Sequence, residues 1–376
     1  MHKVTFFPLG NADCCRIDLE CGKKILFDYA DTRDRNDPED LRWDLPKALR
    51  DDLEEADRDY YEVVAFSHLD KDHIKGAPDF FFLEHAKKYQ SADRIKMRTM
   101  WVPAAMITED GPDDEEARTL QSEARYRFKA GKGIRVFSRP ERLRKWCEKN
   151  GIRLEDRLEI ITDAGQLAPE FTKVRDGAEF FVHSPFAKRL NATTVEERNE
   201  DAILLHVTFV VENVETRFLL TSDATHEVLA DIVTITRARK RSERLKWDIA
   251  KIPHHCSYLS LGPDKGEDET TPVKDVAWLY EDEREKNGII VSSSRPMPKK
   301  GTEEDEDQNP PHRQAGNYYK GVLDDPDDQF RVTMEHPRVS KPEPLVIIID
   351  ASKATVEKQS ARASITIISN PAPRAG

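Results

Sequence analysis

The sequence contains no apolar stretch that approaches the ~18 residues a membrane-spanning helix requires. A channel or carrier role is thereby excluded for this chain. Its first residues, MHKVTFFPLGNADCC, lack both a basic leader and a long apolar segment, so no export signal is expected. Cysteine is scarce as well: the five thiols (Cys14, Cys15, Cys21, Cys147 and Cys256) form no CxxC pair, which excludes a zinc ribbon. An odd count without a leader fits reduced thiols and predicts a cytoplasmic protein. Net positive charge is also missing. At −12 the chain is a poor match for broad attraction to nucleic acid, although an acidic protein can carry a local basic face.

What is present describes a globular chain. Of its 376 residues 38% are hydrophobic and 35% charged, which suits a packed core under a heavily charged surface rather than disorder. One elaborated α/β domain over residues 1–376 is expected. The opening reads as three strands, KVTFFPL, CCRIDLE and KKILFDYA, joined at Gly10-Asn11 and Cys21-Gly22. Asp37–Ala56 has apolar residues at helical spacing, YYEVVAF reads as a buried strand, Gly76 to Lys88 as a helix, and RIKMRTMWVPAAM as a strand running into a loop. Residues 108–165 are charged and helix-prone, with no strand before LEIIT, and are expected to form an inserted helical cap; a solvated hairpin without a role in substrate binding is the alternative.

The second half repeats the alternation. Strands are expected at Ala178–His183, Ala202–Val211, Thr216–Thr221, Asp248–Pro253 and Gly288–Ser292, with a helix at His226–Thr236. Residues 297–316, which include KKGTEEDEDQNPPHRQAG, are too charged to pack and are expected to be a mobile surface loop. PLVIIID and ASITIIS are expected to close the chain as a strand pair. Together these elements predict an α/β sandwich.

The chemistry concentrates in FSHLDKDHIKG, Phe66–Gly76, directly after a strand. His68, Asp70, Asp72 and His73 can converge in an irregular loop, and two imidazoles with two carboxylates are costly to desolvate unless a cation gathers them. The alternative is a solvated turn in which Asp72 only caps a helix. Two further candidates stand at strand ends, where ligands sit in α/β sheets: Asp223 after RFLLTS, and His254-His255 after AKIP.

These segments resemble the metallo-β-lactamase-fold hydrolases. Their HxHxDH signature is matched by HLDKDH, with Asp70 in place of the second histidine. Within that superfamily the chain most resembles the hydrolase domain associated with the DNA-uptake channel protein ComEC. VTFFPLGNADCCRIDLECGKKILFDYAD is similar to its first hairpins, with Asp28 ending a strand; NEDAILLHV, FLLTSDA and IPHHCS resemble its later segments. The resemblance spans Met1 to about Ser294 apart from the cap. Ser222 and Cys256 stand where the family has glycine.

The resemblance implies an αββα sandwich with a helical insertion and a site for two divalent ions, zinc or manganese. His68 and Asp70 would bind the first ion, Asp72 and His73 the second, and Asp223 would bridge them. His255, or else His254, would complete the set, and Asn199 stands roughly where the family's middle histidine is expected. The oxygen-rich ligand set makes manganese a candidate beside zinc. Water between the ions would be deprotonated near neutral pH, with Asp72 orienting it. Ser257 and Ser292–Ser294 would donate to phosphoryl oxygens, and His312 would serve the leaving group or touch phosphate.

The expected activity is therefore a metal-dependent nuclease or phosphodiesterase. RIKMR, RYRFKAGKGIR and RPERLRK would line a nucleic-acid groove. A hydrolase of a small ester, lactone or cyclic nucleotide is the second reading, and a non-catalytic interaction module that keeps the fold is the third. Other components of any larger system would be separate proteins.

Overall fold

The computed structural model of the protein describes residues 1–186 and 201–358. Fifteen strands among these residues form two mixed sheets. The first half contributes β1 (His2–Phe6), β2 (Cys15–Asp18), β3 (Lys24–Phe27), β4 (Tyr60–Ala65), β5 (Lys96–Pro103), β6 (Ile134–Phe137) and β7 (Ile161–Thr162). The second contributes β8 (Ala178–Ser184), β9 (Leu204–Val211), β10 (Val214–Leu220), β11 (Trp247–Lys251), β12 (Arg284–Ser292), β13 (Phe330–Val332), β14 (Leu345–Asp350) and β15 (Lys353–Val356). The larger sheet runs β15-β14-β1-β2-β3-β4-β5-β6-β7, and the smaller runs β13-β12-β11-β10-β9-β8.

Strand alternation explains the layering. In β3, Ile25 and Phe27 point to the other sheet, where they meet residues such as Phe180, Val207, Phe218 and Ile249, while Leu26 points outward. The outward face of the larger sheet is covered by helices. One of them, Leu45–Glu55, is started by the Asp44 carboxylate, which accepts from the Lys47 amide, and by Pro46 in the first turn. Leu45, Leu49 and Leu53 recur every fourth residue and are buried against the sheet, each contributing ~1.5–3 kcal/mol of transfer free energy. The smaller sheet is covered on its far side by His226–Ala238 and Lys274–Glu281, through Val228, Ile232, Val276 and Leu279. Helix, sheet, sheet, helix: the arrangement is the αββα sandwich that the resemblance implies.

Several local expectations are corrected. Residues 108–165 hold the helices Glu115–Ala130 and Glu141–Lys149, but also β6 and β7, which pair in parallel onto β5 and lengthen the sheet. Leu120, Ala124 and Phe128 bury their side chains in the outer core, so this segment packs on the sheet. β6 was hidden because RVF is only part of a four-residue strand, too short to show alternation. Gly76 to Lys88 contains one turn of helix, Ala77–Phe80, and not a continuous one. Residues 297–316 pack rather than float: Asp305 is buried, accepting from the Gly301 amide at 3.1 Å and from Arg313 Nε at 3.0 Å, while Lys265 Nζ donates to its carbonyl at 2.6 Å. Paired charge did there what apolar residues do elsewhere. The expected strand ASITIIS and Asn199 lie outside the described residues. No helix among the described residues is long and apolar enough to cross a membrane.

Candidate metal centre

Four strand ends and one loop meet at one edge of the sandwich. The segment after β4 brings Ser67, His68, Asp70, Asp72 and His73; the segment after β10 brings Ser222 and Asp223; the segment after β11 brings His254 and His255. Ser293 follows β12, and Asp13 comes from the loop before β2. β4, β10, β11 and β12 run parallel to a sheet neighbour here, which places their carboxyl ends together.

Within this edge, ligand atoms of Asp13, His73, Asp223 and His255 all lie within 4.8 Å of one another. His73 Nε2 is 3.3 Å from Asp223 Oδ1 and 3.8 Å from Asp13 Oδ2, and His255 Nε2 is 3.9 Å from Asp223 Oδ2 and 3.0 Å from Asp72 Oδ2. The His68 ring lies beside His73, tilted by 48° with ring centroids 4.0 Å apart, and its Nε2 is 3.5 Å from Asp70 Oδ2. His254 lies to the side, its Nε2 4.0 Å from Asp223 Oδ2 and its ring 26% exposed toward a cleft, whereas His255 is 2% exposed. The HLDKDH motif, Asp223 and the two histidines are thus brought together.

The far nitrogen of each buried imidazole is held in place. His73 Nδ1 donates to Asp28 Oδ2 at 2.8 Å, and His255 Nδ1 donates to the Ser293 carbonyl at 2.7 Å. Ser222 Oγ donates to Ser67 Oγ at 2.7 Å, which donates on to Asp28 Oδ2 at 2.7 Å. With both hydroxyl protons spent, His68 Nδ1, 3.0 Å from Ser67 Oγ and 3.2 Å from Ser222 Oγ, is left as the donor. With Nδ1 engaged on each ring, Nε2 is the nitrogen left to a cation at this edge. Among the described residues, His68 Nε2, His73 Nε2 and Asp223 Oδ1 are buried without a well-formed hydrogen bond, although the last two lie 3.3 Å apart. Buried polar atoms rarely go unpaired, and His73 Nε2 facing Asp223 Oδ1, with His255 in the same 4.8 Å cluster, fits a divalent ion.

The electrostatics agree. Burial would raise the Asp72 carboxyl, but His73 and the hydrogen bond to His255 hold it at about 2. Burial likewise opposes ionisation of Asp223, yet the neighbouring His73 and His255 bring it well below the usual carboxylate range. In return, Asp223 lifts both His73 and His255 above an ordinary histidine despite their burial. A cation displaces those protons and takes over the same charge.

Residue identity alone did not point to Asp13, Lys251 or Ser67, and Ser293, expected to donate to phosphoryl oxygens, instead holds His255 through its carbonyl. Lys251 Nζ donates to Asp13 Oδ2 at 2.5 Å, with both side chains buried. A lysine inside the apolar run WDIAKIP was the available signal for it. Ser222 proves useful where the family has glycine, since it completes the chain to Asp28. Cys256 adopts φ 68°, following His254 at 50° and His255 at 53°, a left-handed turn that favours glycine at that position.

Other assigned residues sit differently. Ser257 caps a short 3-10 turn, accepting from the Leu259 amide, and Ser292 and Ser294 hydrogen-bond one another, so none is aimed at the centre. His312 is buried with both nitrogens engaged: Nδ1 accepts from the Tyr258 amide at 3.3 Å and Nε2 donates to the Gln308 carbonyl at 3.2 Å. Burial lowers it to about 4. It is a clamp between two loops, and its placement does not fit a proton donor to a leaving group. Arg127, read as part of a nucleic-acid groove, is buried, bound to Glu123 at 2.6 Å and to the carbonyls of Met97 and Gly133. Arg125 is tied to the carbonyls of Ile107 and Glu109.

No protein-family model matches the chain, and no curated protein matches it in sequence. Among solved structures, a diphosphatase of the PhnP family aligns over 95% of this chain and 100% of its own, at 9% identity and a TM-score of 0.37. So distant a likeness carries no weight for activity.

Proposed function

We propose that the protein is a metal-dependent hydrolase acting on a phosphodiester. The observation that carries this reading is the cluster of buried ligand atoms of His73, Asp223 and His255, all within 4.8 Å of one another at a strand edge, with the His68 ring beside His73. Divalent ions held there, zinc or manganese, would supply Lewis acidity that activates water and offsets phosphoryl charge. His68 and Asp70 would hold one ion, Asp72, His73 and His255 a second, and Asp223 would span them. Asp28, Ser67, Ser222 and Ser293 orient the rings from behind. Asp72, which borders the cleft, would orient the attacking water.

The substrate side is a cleft of mixed charge. An open cleft of about 770 Å³ borders Asp72, His254 and His255 and is lined by Asp37, Glu39 and Asp40 as well as by Arg42, which is paired with Asp40, and Arg295, which reaches the Pro310 carbonyl. The two arginine stems flank Gly10, whose added Cβ would meet Arg42 Cδ at 3.5 Å and Arg295 Cγ at 3.9 Å. Arginine suits phosphate better than lysine because its planar donors engage two oxygens at once. This cleft, rather than the 108–165 segment, is where a phosphodiester is read.

The test is hydrolysis of bis(p-nitrophenyl) phosphate, single-stranded DNA and duplex DNA by the chelator-stripped protein with manganese or zinc restored. Metal-dependent turnover that disappears in Asp223→Ala supports the reading. Turnover unaffected by chelation, or none on any diester by a protein with verified bound metal, contradicts it.

A further inference from the structure

Besides the proposed ligands, the centre contains a charge pair whose carboxylate, that of Asp13, lies within the same 4.8 Å cluster. Lys251 lies at the end of β11 in the smaller sheet and Asp13 in a loop of the larger one, and their side chains are 3% and 6% exposed. Lys251 Nζ holds Asp13 Oδ2 at 2.5 Å, the same oxygen that faces His73 Nε2 at 3.8 Å. The Asp13 amide donates to the Asp72 carbonyl at 2.9 Å, which fixes the pair to the backbone of the motif. A buried lysine is expensive to desolvate, and it is retained only where a carboxylate compensates it.

Resting on the metal-dependent reading above, we propose that Lys251 and Asp13 act as a positioning pair: the ammonium keeps the Asp13 carboxylate out of the ligand set and fixes how much positive charge the centre accepts. Once an ion has displaced the imidazole protons, the edge gathers the carboxylates of Asp13, Asp28, Asp70, Asp72 and Asp223 around neutral rings. One ammonium against five carboxylates leaves a deficit that two divalent ions cancel. Without Lys251 the centre is one charge more negative, and Asp13 Oδ2 becomes available to the ion. Lys251 thus weakens ion binding deliberately, which favours exchange, while holding the ion-free centre together.

Manganese titration of the chelator-stripped full chain, read by calorimetry and by melting with and without the ion, separates the outcomes. Lys251→Met removes the cation and is expected to tighten manganese binding by about tenfold or more, because a divalent ion feels the extra buried charge strongly. Its ion-free form should melt lower than wild type, and manganese should restore it. Asp13→Asn should weaken binding. The double variant Asp13→Asn/Lys251→Met removes both charges at nearly constant volume and should bind within about threefold of wild type, since coupled charges are lost together. A double variant that loses manganese binding by ~10²-fold or more would show Asp13 to be a ligand and overturn the proposal. Weakened binding in Lys251→Met would overturn it as well, and if that variant fails to fold with or without the ion, the double variant decides. A wild-type protein that binds neither manganese nor zinc refutes the metal reading itself, and the pair's role with it.

Discussion

Two sets of buried histidines can be compared within this one molecule. His68, His73 and His255 lie at the carboxyl ends of strands, each with its outer nitrogen donating and its Nε2 turned toward carboxylates. His183 and His206 lie in β8 and β9, and their Nε2 atoms donate to the carbonyls of Arg244 and Lys246. Carboxylates lift His73 and His255, whereas burial lowers His183 to about 4 and His206 to about 3. Burial is common to both sets. What differs is the partner on the second nitrogen: a backbone carbonyl that takes the Nε2 proton makes a structural histidine, and an acceptor on Nδ1 frees Nε2 for a cation.

The comparison breaks first at Asp223. Asp223→Ala removes the one carboxylate that faces His73, His254 and His255 together, and it should reduce diester hydrolysis by ~10³-fold or more while the circular dichroism spectrum stays native. Retained activity would mean that the converging atoms do not perform chemistry. Asp28→Asn probes the outer nitrogen instead. It turns the acceptor for His73 Nδ1 into an ambiguous amide and should cost ~10–100-fold in metal affinity by titration, with ligand atoms untouched. Undiminished affinity would show that ring orientation is set by packing alone.

The structural pair is sharpened by pH. Both His183 and His206 have folded values below their ordinary 6.5, so between pH 6.5 and 4 the unfolded chain takes up protons that the folded one refuses. Their contribution is present above pH 6.5 and is lost on acidification, by roughly 1.4 kcal/mol per pH unit for each histidine. Urea unfolding of His206→Gln should show a shallower acid slope than wild type, and an identical slope would remove His206 from this account. The smallest effect on activity is expected at His312. Its alanine variant orphans the Tyr258 amide and the Gln308 carbonyl, costing roughly 1–3 kcal/mol of stability, with far less than the ~10²-fold rate loss of a missing general acid. A full loss of that size, in a variant that melts normally, would restore His312 to the reaction.

Much of the centre was legible because its ligands are rare residue types in short, dense runs placed after apolar strands. HLDKDH, Asp223 and His254-His255 declared themselves in that way. The layered sandwich was legible for the same reason, since β3, β4 and β9 are apolar runs bounded by turn residues. The supporting residues were not. Asp13 has its reason in Lys251, 238 positions away, and Ser222 has its reason in Ser67, 155 positions away. Such partners are fixed by the meeting of two sheets, and local pattern is silent about that. Charge misled twice: RYRFKAG looked like a solvated basic face, but Arg127 spends its guanidinium on Glu123 and two carbonyls inside the outer layer. The acidic run around Asp305 likewise packs, because Arg313 and Lys265 reach it from both sides.

The most direct test is metal content. Protein dialysed against manganese and zinc, then freed of loose ions, is analysed for metal alongside the Asp72→Ala/His73→Ala variant. The account predicts two equivalents of divalent ion per wild-type chain and the loss of at least one in the variant, with a matching fall in melting temperature on chelation of wild type alone. Full metal content in the variant, or a wild-type melting curve unchanged after verified metal removal, would contradict it.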